Sequence, residues 1–292
     1  MRIGQHIITA GSATVAEFGA HAAEAKARGY DSGWTNQQPG GWDPIAVLAA
    51  MPDSPPELGT AVVPTYPRHP VVMATEALST QALTGGKLTL GIGPSHEWAM
   101  TGQLGLPYAS PARHTREYLE VLRPLLRGEH VKYAGRFFTV DTQLAISAPE
   151  PPVLISALGP RMLDVARELA DGTIALWVQP GLVADYLVPR LGDDSRVVVM
   201  VTVSITTDPG GVRENFAREL AIVNELPAYR AILDRGGLSG PADTVIAGND
   251  EEVAAELRRF ADAGATDLVV NAIGDPGERA RALDLVPQVF AG

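Results

Sequence analysis

The side chains best placed to do chemistry lie in short segments that each follow an apolar, β-rich run of the sequence. These segments contain two histidines, His69 and His96, and a single carboxylate, Glu97. One carboxylate does not suffice for glycoside hydrolysis, which needs a facing pair, and the sequence has no HxH or HExxH spacing for metal-assisted hydrolysis. Cysteine, a GxSxG motif and a P-loop are also absent from the sequence. We therefore expect no metal site, and we expect none of these catalytic motifs to carry the chemistry.

The same segments are rich in glycine, proline and amide side chains. That composition suits a pocket for a large planar organic group that carries out the chemistry itself. Within it, Ser95 and His96 form a candidate proton donor or cofactor contact, because a loop histidine can move a proton during catalysis. The alternative for His96 is a purely structural role. We expect His69, which precedes Pro70 at a helix start, to cap or pack against that helix.

The run ALGPR, residues 157–161, predicts a helix start that binds an anion. Gly159 lets a ligand approach the backbone closely, and Pro160 takes the first helical position, where its missing N–H is not needed. The free N–H groups of the first turn and the Arg161 side chain would then face the anion. The alternative is that Gly-Pro only makes a tight start to the helix.

A parallel sheet would bring these segments together, because its strands all end at the same edge. Short β-rich runs alternate with helical stretches that carry N-cap signals, and this alternation predicts such a sheet. Glycine ends a helix just before a strand in ARGYDSGW, ELADGTIALW and DAGATDLVV. The predicted strands cover residues 2–8, 30–34, 58–63, 87–92, 153–157, 172–178, 196–205 and 267–271.

Eight βα units in 292 residues fit a (β/α)8 TIM barrel, an α/β fold whose sites lie at the C-terminal ends of the strands. A doubly wound open sheet is the main alternative, but it would carry GxGxxG where this chain reads ITAGSATV. The run VKYAGRFFTV, residues 131–140, predicts a hairpin inserted between strands 4 and 5. No Pro/Gly/Ser-rich linker divides the chain, so we expect one domain over residues 1–292.

The charge and hydropathy of the sequence limit the kinds of partner that the protein can bind. The chain has 23 Lys and Arg against 34 Asp and Glu, a net charge of −11, which suits neither nucleic-acid phosphates nor an anionic membrane. Its N-terminus lacks the apolar core of a signal peptide, and no run approaches the roughly 18 apolar residues of a membrane span. We therefore expect a cytoplasmic protein whose partner is a small-molecule substrate, with no nucleic acid and no membrane.

Three runs of the sequence resemble the luciferase-like flavin and deazaflavin oxidoreductases, most closely the actinobacterial branch described as dependent on coenzyme F420. They are LGTAVVPTYPRHPVVMATEALSTQALTGGKLTLGIGPSH, EYLEVLRPLLRGEHVKYAGRFF and PPVLISALGPRMLDVARELADGT. The motifs PRHP and GGKLTLGIG are typical of the whole superfamily, including members that use FMN. The resemblance implies a TIM barrel that is lengthened between strands 4 and 5, and a homodimer.

The resemblance also implies how the cofactor is held. The Ala61–Val62 peptide would be cis and press against the tricyclic ring, and the phosphate-bearing chain would lie near residues 157–161. The expected cofactor-binding residues are Trp34, Ala61, Val62, Val63, Gly93, Ser95, His96, Ala157, Leu158, Gly159, Pro160 and Arg161.

The chain departs from many F420-dependent relatives after strand 2, where Asn36, Gln37 and Gln38 stand in place of Asp or Asp-His. No carboxylate base is therefore expected at this position. The expected catalytic residues are Gln37, which would hydrogen-bond the ring edge, and His96, which would protonate the product.

Three functions fit the predicted fold, cofactor and site residues. The first is hydride transfer between coenzyme F420 and a small organic substrate. The second is an FMN-dependent monooxygenase supplied by a separate cofactor reductase, and the third is a non-catalytic flavin- or deazaflavin-binding protein. The substrate pocket would be formed by residues 93–110 and by the segment after Gln179.

Overall fold

The computed structural model describes residues 1–7, 14–38 and 40–291. Its strands are β1 (Arg2–His6), β2 (Ser32–Thr35), β3 (Glu57–Thr60), β4 (Val63–Pro64), β5 (Leu88–Gly93), β6 (Val131–Ala134), β7 (Thr139–Thr142), β8 (Val153–Ser156), β9 (Gly172–Ala175), β10 (Arg196–Ile205), β11 (Val245–Gly248) and β12 (Asp267–Ala272). Its helices are α1 (Val15–Ala27), α2 (Pro44–Ala49), α3 (Pro70–Leu83), α4 (Pro111–Leu126), α5 (Pro160–Leu169), α6 (Pro180–Leu182), α7 (Val188–Leu191), α8 (Pro209–Glu219), α9 (Pro227–Arg235), α10 (Asp250–Asp262) and α11 (Pro276–Phe290).

Within the described residues, eight parallel strands close into the predicted TIM barrel, in the order β1, β2, β3, β5, β8, β9, β10 and β12. Pairing of β12 with β1 completes the ring, with Val269 opposite Gly4. The strands predicted from the sequence correspond to these eight. The C-terminal ends of the strands, where the candidate site residues lie, therefore meet at one end of the barrel.

The structure differs from the sequence prediction at β10 and its neighbours. This ten-residue strand pairs along one edge first with β9, over residues 196–199, and then with β11, over residues 202–205. The strand predicted over 172–178 ends at Ala175, and β11, which was not predicted, lies beside the second half of β10. The segment after Gln179, which is expected to line the substrate pocket, is helical over α6, a π-helical turn (Val183–Leu187) and α7.

Between β5 and β8 the chain forms a π-helical turn (Trp98–Gln103), helix α4 and an antiparallel hairpin of β6 and β7. This hairpin is the one predicted over residues 131–140, and it lies in a separate two-stranded sheet outside the barrel. Glu117 joins the hairpin to α4, since its carboxylate accepts a hydrogen bond from the Phe137 N–H at 2.8 Å.

The barrel interior is filled by side chains from alternate strand positions: Trp34, Leu154, Ile174, Val198 and Val269. Trp34 is fully buried, and its indole N–H donates to Ser32 Oγ at 2.7 Å. The strands beside it carry Gly4 and Gly59, and a Cβ at either position would overlap the indole. Glycine at these two positions therefore makes room for the tryptophan.

Four charged residues cross the N-terminal end of the barrel, each at the first position of its strand. Arg196 pairs with Glu57 at 3.0 Å and with Asp267 at 2.5 Å. Arg2 pairs with the same two carboxylates. Opposite charges in contact offset the cost of burying each other, so these four side chains can lie together across one end of the barrel. Among the described residues, none of the helices has the length and apolar character needed to cross a membrane.

Candidate functional site

The Ala61–Val62 peptide bond is cis, as the resemblance implied. It separates β3 from β4, so the strand predicted over 58–63 is interrupted at this point. The Ala61 N–H donates to the Thr35 carbonyl at 2.7 Å, and the Val62 carbonyl accepts from the Gln37 N–H at 3.3 Å. Val63 is buried in β4 and pairs with β5. Both residues of the cis bond remain half-buried, at the end of the barrel where the strands finish.

Trp34 belongs to the cluster that lies beneath this peptide inside the barrel. Ala61 and Val62 pack against the interior cluster that contains the indole. The sequence prediction counted Trp34 among the cofactor-binding residues, and the structure places its ring completely within the protein. The indole is therefore part of the buried cluster against which the cis peptide packs.

Gly93 ends β5 at a point of close contact between strands. A Cβ there would overlap Ser156 Oγ and lie 3.0 Å from Val62 Cγ2. Its carbonyl accepts a hydrogen bond from the Thr65 N–H at 2.9 Å. The need for glycine at this position follows from protein contacts alone, and those contacts bring the end of β5 against the cis peptide.

Ser95 and His96 follow in a sharply turned segment. Ser95 has a φ of +62°, in the left-handed region, and its carbonyl accepts from the Tyr108 hydroxyl at 3.0 Å. His96 is half-buried, and its ring meets the ring of Tyr229 edge-on at 4.8 Å. Burial lowers the pKa of His96, so its imidazole is neutral at pH 7. A neutral imidazole can still donate or accept one hydrogen bond on each nitrogen.

An aromatic wall, formed by Tyr229, Trp177 and Phe216, continues from His96. The Trp177 ring lies 6.1 Å from that of Tyr229 and 6.0 Å from that of Phe216. Burial raises the pKa of Tyr229 to about 12, so its hydroxyl stays protonated. In the described part of the chain, the buried indole N–H of Trp177 has no hydrogen-bond partner. Sequence reasoning missed this wall, because no local pattern indicates that Tyr229 of α9 meets His96 or that Phe216 of α8 meets Trp177.

Residues 157–161 divide into an anchored part and an open part. Ala157 and Leu158 are buried, and their carbonyls accept from Thr173 Oγ1 at 3.2 Å and from the Tyr186 hydroxyl at 3.1 Å. Helix α5 then begins at Pro160 with Gly159 as its cap and without a side-chain cap.

The open part, Gly159, Pro160 and Arg161, is exposed. A Cβ on Gly159 would meet nothing within 4 Å. Among the described residues, Arg161 has no ion-pair or hydrogen-bond partner. The Met162 N–H donates to the Gly159 carbonyl at 3.1 Å, whereas the Arg161 N–H and the Arg161 side chain have no partner among the described residues and are available to an anion.

Gln37 is fixed by a residue that sequence reasoning did not assign to the site. Arg68, in the PRHP motif, donates from Nη1 to Gln37 Oε1 at 2.7 Å. The same guanidinium pairs with Asp43 and with Glu76. Burial raises the pKa of Glu76, and the charge of Arg68 opposes that rise.

The two remaining histidines near the strand ends have structural contacts. His69 caps α3 as expected, because its Nδ1 accepts from the Val71 N–H at 3.3 Å. His6 lies in β1 on the face that lines the barrel, and its Nε2 is 3.2 Å from Asn36 Oδ1. Burial lowers the pKa of His6, so it too is neutral at pH 7.

Together, the fold and site define a TIM-barrel protein with a non-proline cis peptide, an aromatic wall and an uncapped, cationic helix start at one end. The chain belongs to the luciferase-like monooxygenase family, whose family model matches residues 1–285.

Three comparisons illustrate the similarity. The 5,10-methylenetetrahydromethanopterin reductase of Methanolobus tindarius is 31% identical over 159 residues, which cover 53% of this chain and 48% of the reductase. The coenzyme F420-dependent tetrahydromethanopterin reductase of Methanopyrus kandleri superposes with a TM-score of 0.80 at 22% identity, covering 98% of this chain and 97% of that one. The oxygenating constituent of 3,6-diketocamphane monooxygenase of Pseudomonas putida, in complex with FMN, has a TM-score of 0.77 at 15% identity, covering 100% and 98%. At these identities the two structures show a shared fold.

Proposed function

We propose that this chain is an oxidoreductase that binds coenzyme F420 at the C-terminal end of the barrel and acts on a small organic molecule. Membership of the luciferase-like family supports the broader class, an oxidoreductase with a flavin or deazaflavin cofactor. The observation that carries the proposal is the pairing of two surfaces on neighbouring strands. The cis peptide adjoins the end of β5, and the uncapped start of α5 follows β8, which pairs with β5.

The residues present fit a flat ring with an anionic chain. The half-buried Ala61–Val62 peptide would support one face of the ring, and the Gln37 amide would hydrogen-bond its edge. The exposed Gly159–Arg161 segment has free N–H groups, a cation and open space for phosphate oxygens. When bound and reduced, F420 supplies a hydride to a polarised C=C, C=O or C=N bond.

His96 and the aromatic wall would shape the substrate side of the pocket. Tyr229 and Trp177 would bound this side of the pocket, and the protonated Tyr229 hydroxyl would be able to donate to an acceptor atom of the substrate. His96 would deliver a proton to the product.

This role for His96 predicts a pH dependence. Because burial lowers the pKa of His96, the protonated imidazole becomes populated only below pH 6.5. We expect kcat to rise as the pH falls toward that range, and His96→Gln to flatten the profile. An unchanged profile in the variant would contradict the role. General acid catalysis of this kind contributes about 10²- to 10⁴-fold.

The cofactor is tested by titrating the protein in parallel with F420 and FMN while following tryptophan fluorescence. Trp34 lies behind the cis peptide and Trp177 lies in the aromatic wall, so a bound ring would quench their emission. We expect saturable quenching by F420 at lower concentration than by FMN. Saturation by FMN but not by F420 would overturn the choice of cofactor.

The FMN-dependent monooxygenase is the second candidate, and the fold shared with an FMN-bound monooxygenase constituent supports it. Oxygen consumption with reduced FMN would favour that function, with a separate reductase as partner. Tight cofactor binding without turnover across a panel of acceptors would instead indicate a binding protein. The homodimer, the single domain and the cytoplasmic location remain predictions, and sedimentation equilibrium measures the first of them.

A further inference from the structure

We propose that Arg68 is a positioning residue that fixes the Gln37 amide with its oxygen inward, so that the NH2 group is left to bind an acceptor atom of the ligand. The identity of that ligand, a deazaflavin or flavin ring, rests on the proposed function. The orientation of the Gln37 amide is independent of the proposed function, because it follows from contacts within the chain.

The chemistry of the guanidinium decides the orientation. Arginine carries N–H donors and no acceptor, so the Gln37 atom 2.7 Å from Arg68 Nη1 must be the amide oxygen. The Gln37 backbone is fixed as well, since its N–H donates to the Val62 carbonyl at 3.3 Å. The residue is thus held by its main chain at the cis peptide and by its side chain at Arg68.

Arg68 is itself immobilised by two carboxylates. Its Nη2 donates to Asp43 and its Nε lies 3.2 Å from Glu76 Oε2, so each of its three nitrogens has a different partner. Asp43 caps α2 by accepting from the Ala46 N–H at 3.0 Å, and Glu76 belongs to α3. The Arg68 side chain is only 13% exposed. Two helices therefore determine where the guanidinium points, and a lysine could not reproduce its forked geometry.

The remaining hydrogen-bonding capacity of Gln37 defines its ligand. Among the described residues, nothing accepts a hydrogen bond from Gln37 Nε2, which leaves two N–H donors on a half-buried side chain next to the cis peptide. The matching ligand atom is an acceptor, such as a ring carbonyl oxygen or an unprotonated ring nitrogen. A ring N–H would meet a donor and be disfavoured.

A double-mutant cycle tests the positioning role through cofactor binding. The variants are Gln37→Ala, Arg68→Lys and the double variant, with F420 affinity measured by fluorescence and the free energy of unfolding by urea denaturation. We expect Arg68→Lys to weaken F420 binding about tenfold when Gln37 is present and less than twofold when it is replaced by alanine. An equal loss in both backgrounds would mean that Arg68 acts independently of Gln37 and would overturn the proposal.

The matched variant Gln37→Glu tests the donor assignment. It keeps an oxygen for Arg68, with an added charge that strengthens the pair, but it has no NH2 group. We expect unchanged or higher stability together with about tenfold weaker F420 binding. Wild-type affinity in Gln37→Glu would overturn the claim that the NH2 group contacts the ligand.

An NMR measurement on the cofactor-free protein separates this inference from the proposed function. Failure of the wild-type protein to bind either F420 or FMN would refute the proposed function, and the NMR measurement, which needs no cofactor, would then decide the Arg68–Gln37 contact by itself. In ¹⁵N spectra, we expect the Gln37 side-chain NH2 signals to shift in Arg68→Lys, because the oxygen loses its charged donor. Signals unaffected by that substitution would overturn the positioning role.

Discussion

Two glycines in this barrel differ in whether the surrounding structure would leave room for a Cβ atom. Gly59 leaves room for the Trp34 ring, which a Cβ would overlap, whereas a Cβ on Gly159 would meet no atom within 4 Å. Neither residue has a left-handed φ. The first glycine therefore serves core packing, and the second is free of packing constraints from the described chain.

This contrast predicts different effects of the same substitution. Gly59→Ala should lower the free energy of unfolding by about 3 kcal/mol, because the indole must move within a closed interior. Gly159→Ala should change the free energy of unfolding by less than about 1 kcal/mol, yet weaken F420 binding by crowding the approach to the α5 N–H groups. Urea denaturation and fluorescence titration measure the two effects. Unchanged F420 affinity in Gly159→Ala would contradict the anion-site assignment.

His114 gives a pH dependence to stability. It is 5% exposed, its ring stacks on Tyr66 at 3.9 Å, and burial lowers its pKa to about 4 from a usual value of 6.5. The unfolded chain therefore takes up a proton at this residue before the folded one does. Stability from this residue is complete above pH 6.5 and is lost progressively as the pH falls toward 4, by about 3 kcal/mol.

His114→Phe should remove this dependence, because phenylalanine keeps the aromatic packing against Tyr66 and carries no titrating group. We expect similar stability for variant and wild type at pH 7, and a more stable variant at pH 5. Urea denaturation at the two pH values gives the comparison. Parallel losses in both proteins would assign the effect to other groups, such as His6, whose pKa is also lowered by burial.

At the scale of elements, two carboxylates of α4 hold the β6–β7 hairpin: Glu120 accepts from the Tyr133 hydroxyl at 2.7 Å, and Glu117 binds the turn between the two strands. Glu117 is buried and accepts from the Phe137 N–H at 2.8 Å and from Arg113 at 2.9 Å. Burial opposes ionisation, but these hydrogen bonds prevail and lower the pKa of Glu117. The contact is therefore present at neutral pH and is lost as the pH falls through that lowered pKa.

Glu117→Ala should loosen the hairpin without opening the barrel. We expect faster amide hydrogen exchange over residues 131–142 and unchanged exchange in the barrel strands. Glu117→Gln, which keeps an oxygen for the Phe137 N–H, should restore part of the protection. Faster exchange throughout the barrel in Glu117→Ala would show that the hairpin and the barrel unfold together.

The sequence allowed the eight barrel strands to be predicted because each has a local apolar pattern, most clearly β10, which is paired along both edges. It did not reveal β11, because four residues, VIAG, between a turn and a capped helix carry too little periodicity. The cis peptide followed from the family resemblance. Tyr229 and the link from Arg68 to Gln37 were missed because they depend on which distant elements meet, and no local pattern records that.

At the scale of the whole molecule, the net charge of −11 opposes the binding of an anionic cofactor, while Arg161 favours it locally. Salt screens the interaction between exposed charges beyond about 8 Å at physiological ionic strength, so the nearby cation outweighs the distant carboxylates. We expect Arg161→Ala to weaken F420 binding about tenfold at low salt, and Arg161→Lys to restore most of the loss. The difference between Arg161→Ala and wild type should shrink as salt is added; a constant difference would indicate that the contact is not electrostatic.

The charge network of Arg2, Glu57, Arg196 and Asp267 has a kinetic consequence. In the described part of the chain, that network lies across one end of the barrel and Trp34 fills its middle, so a reactant has no route along the barrel axis. Both reactants of the proposed reaction must then enter and leave by the same opening, and the deeper one cannot exchange while the other is bound. The proposed cofactor ring would lie against the half-buried cis peptide and would be the deeper of the two reactants. Steady-state rates should therefore show a compulsory order, in which the cofactor binds first and departs last.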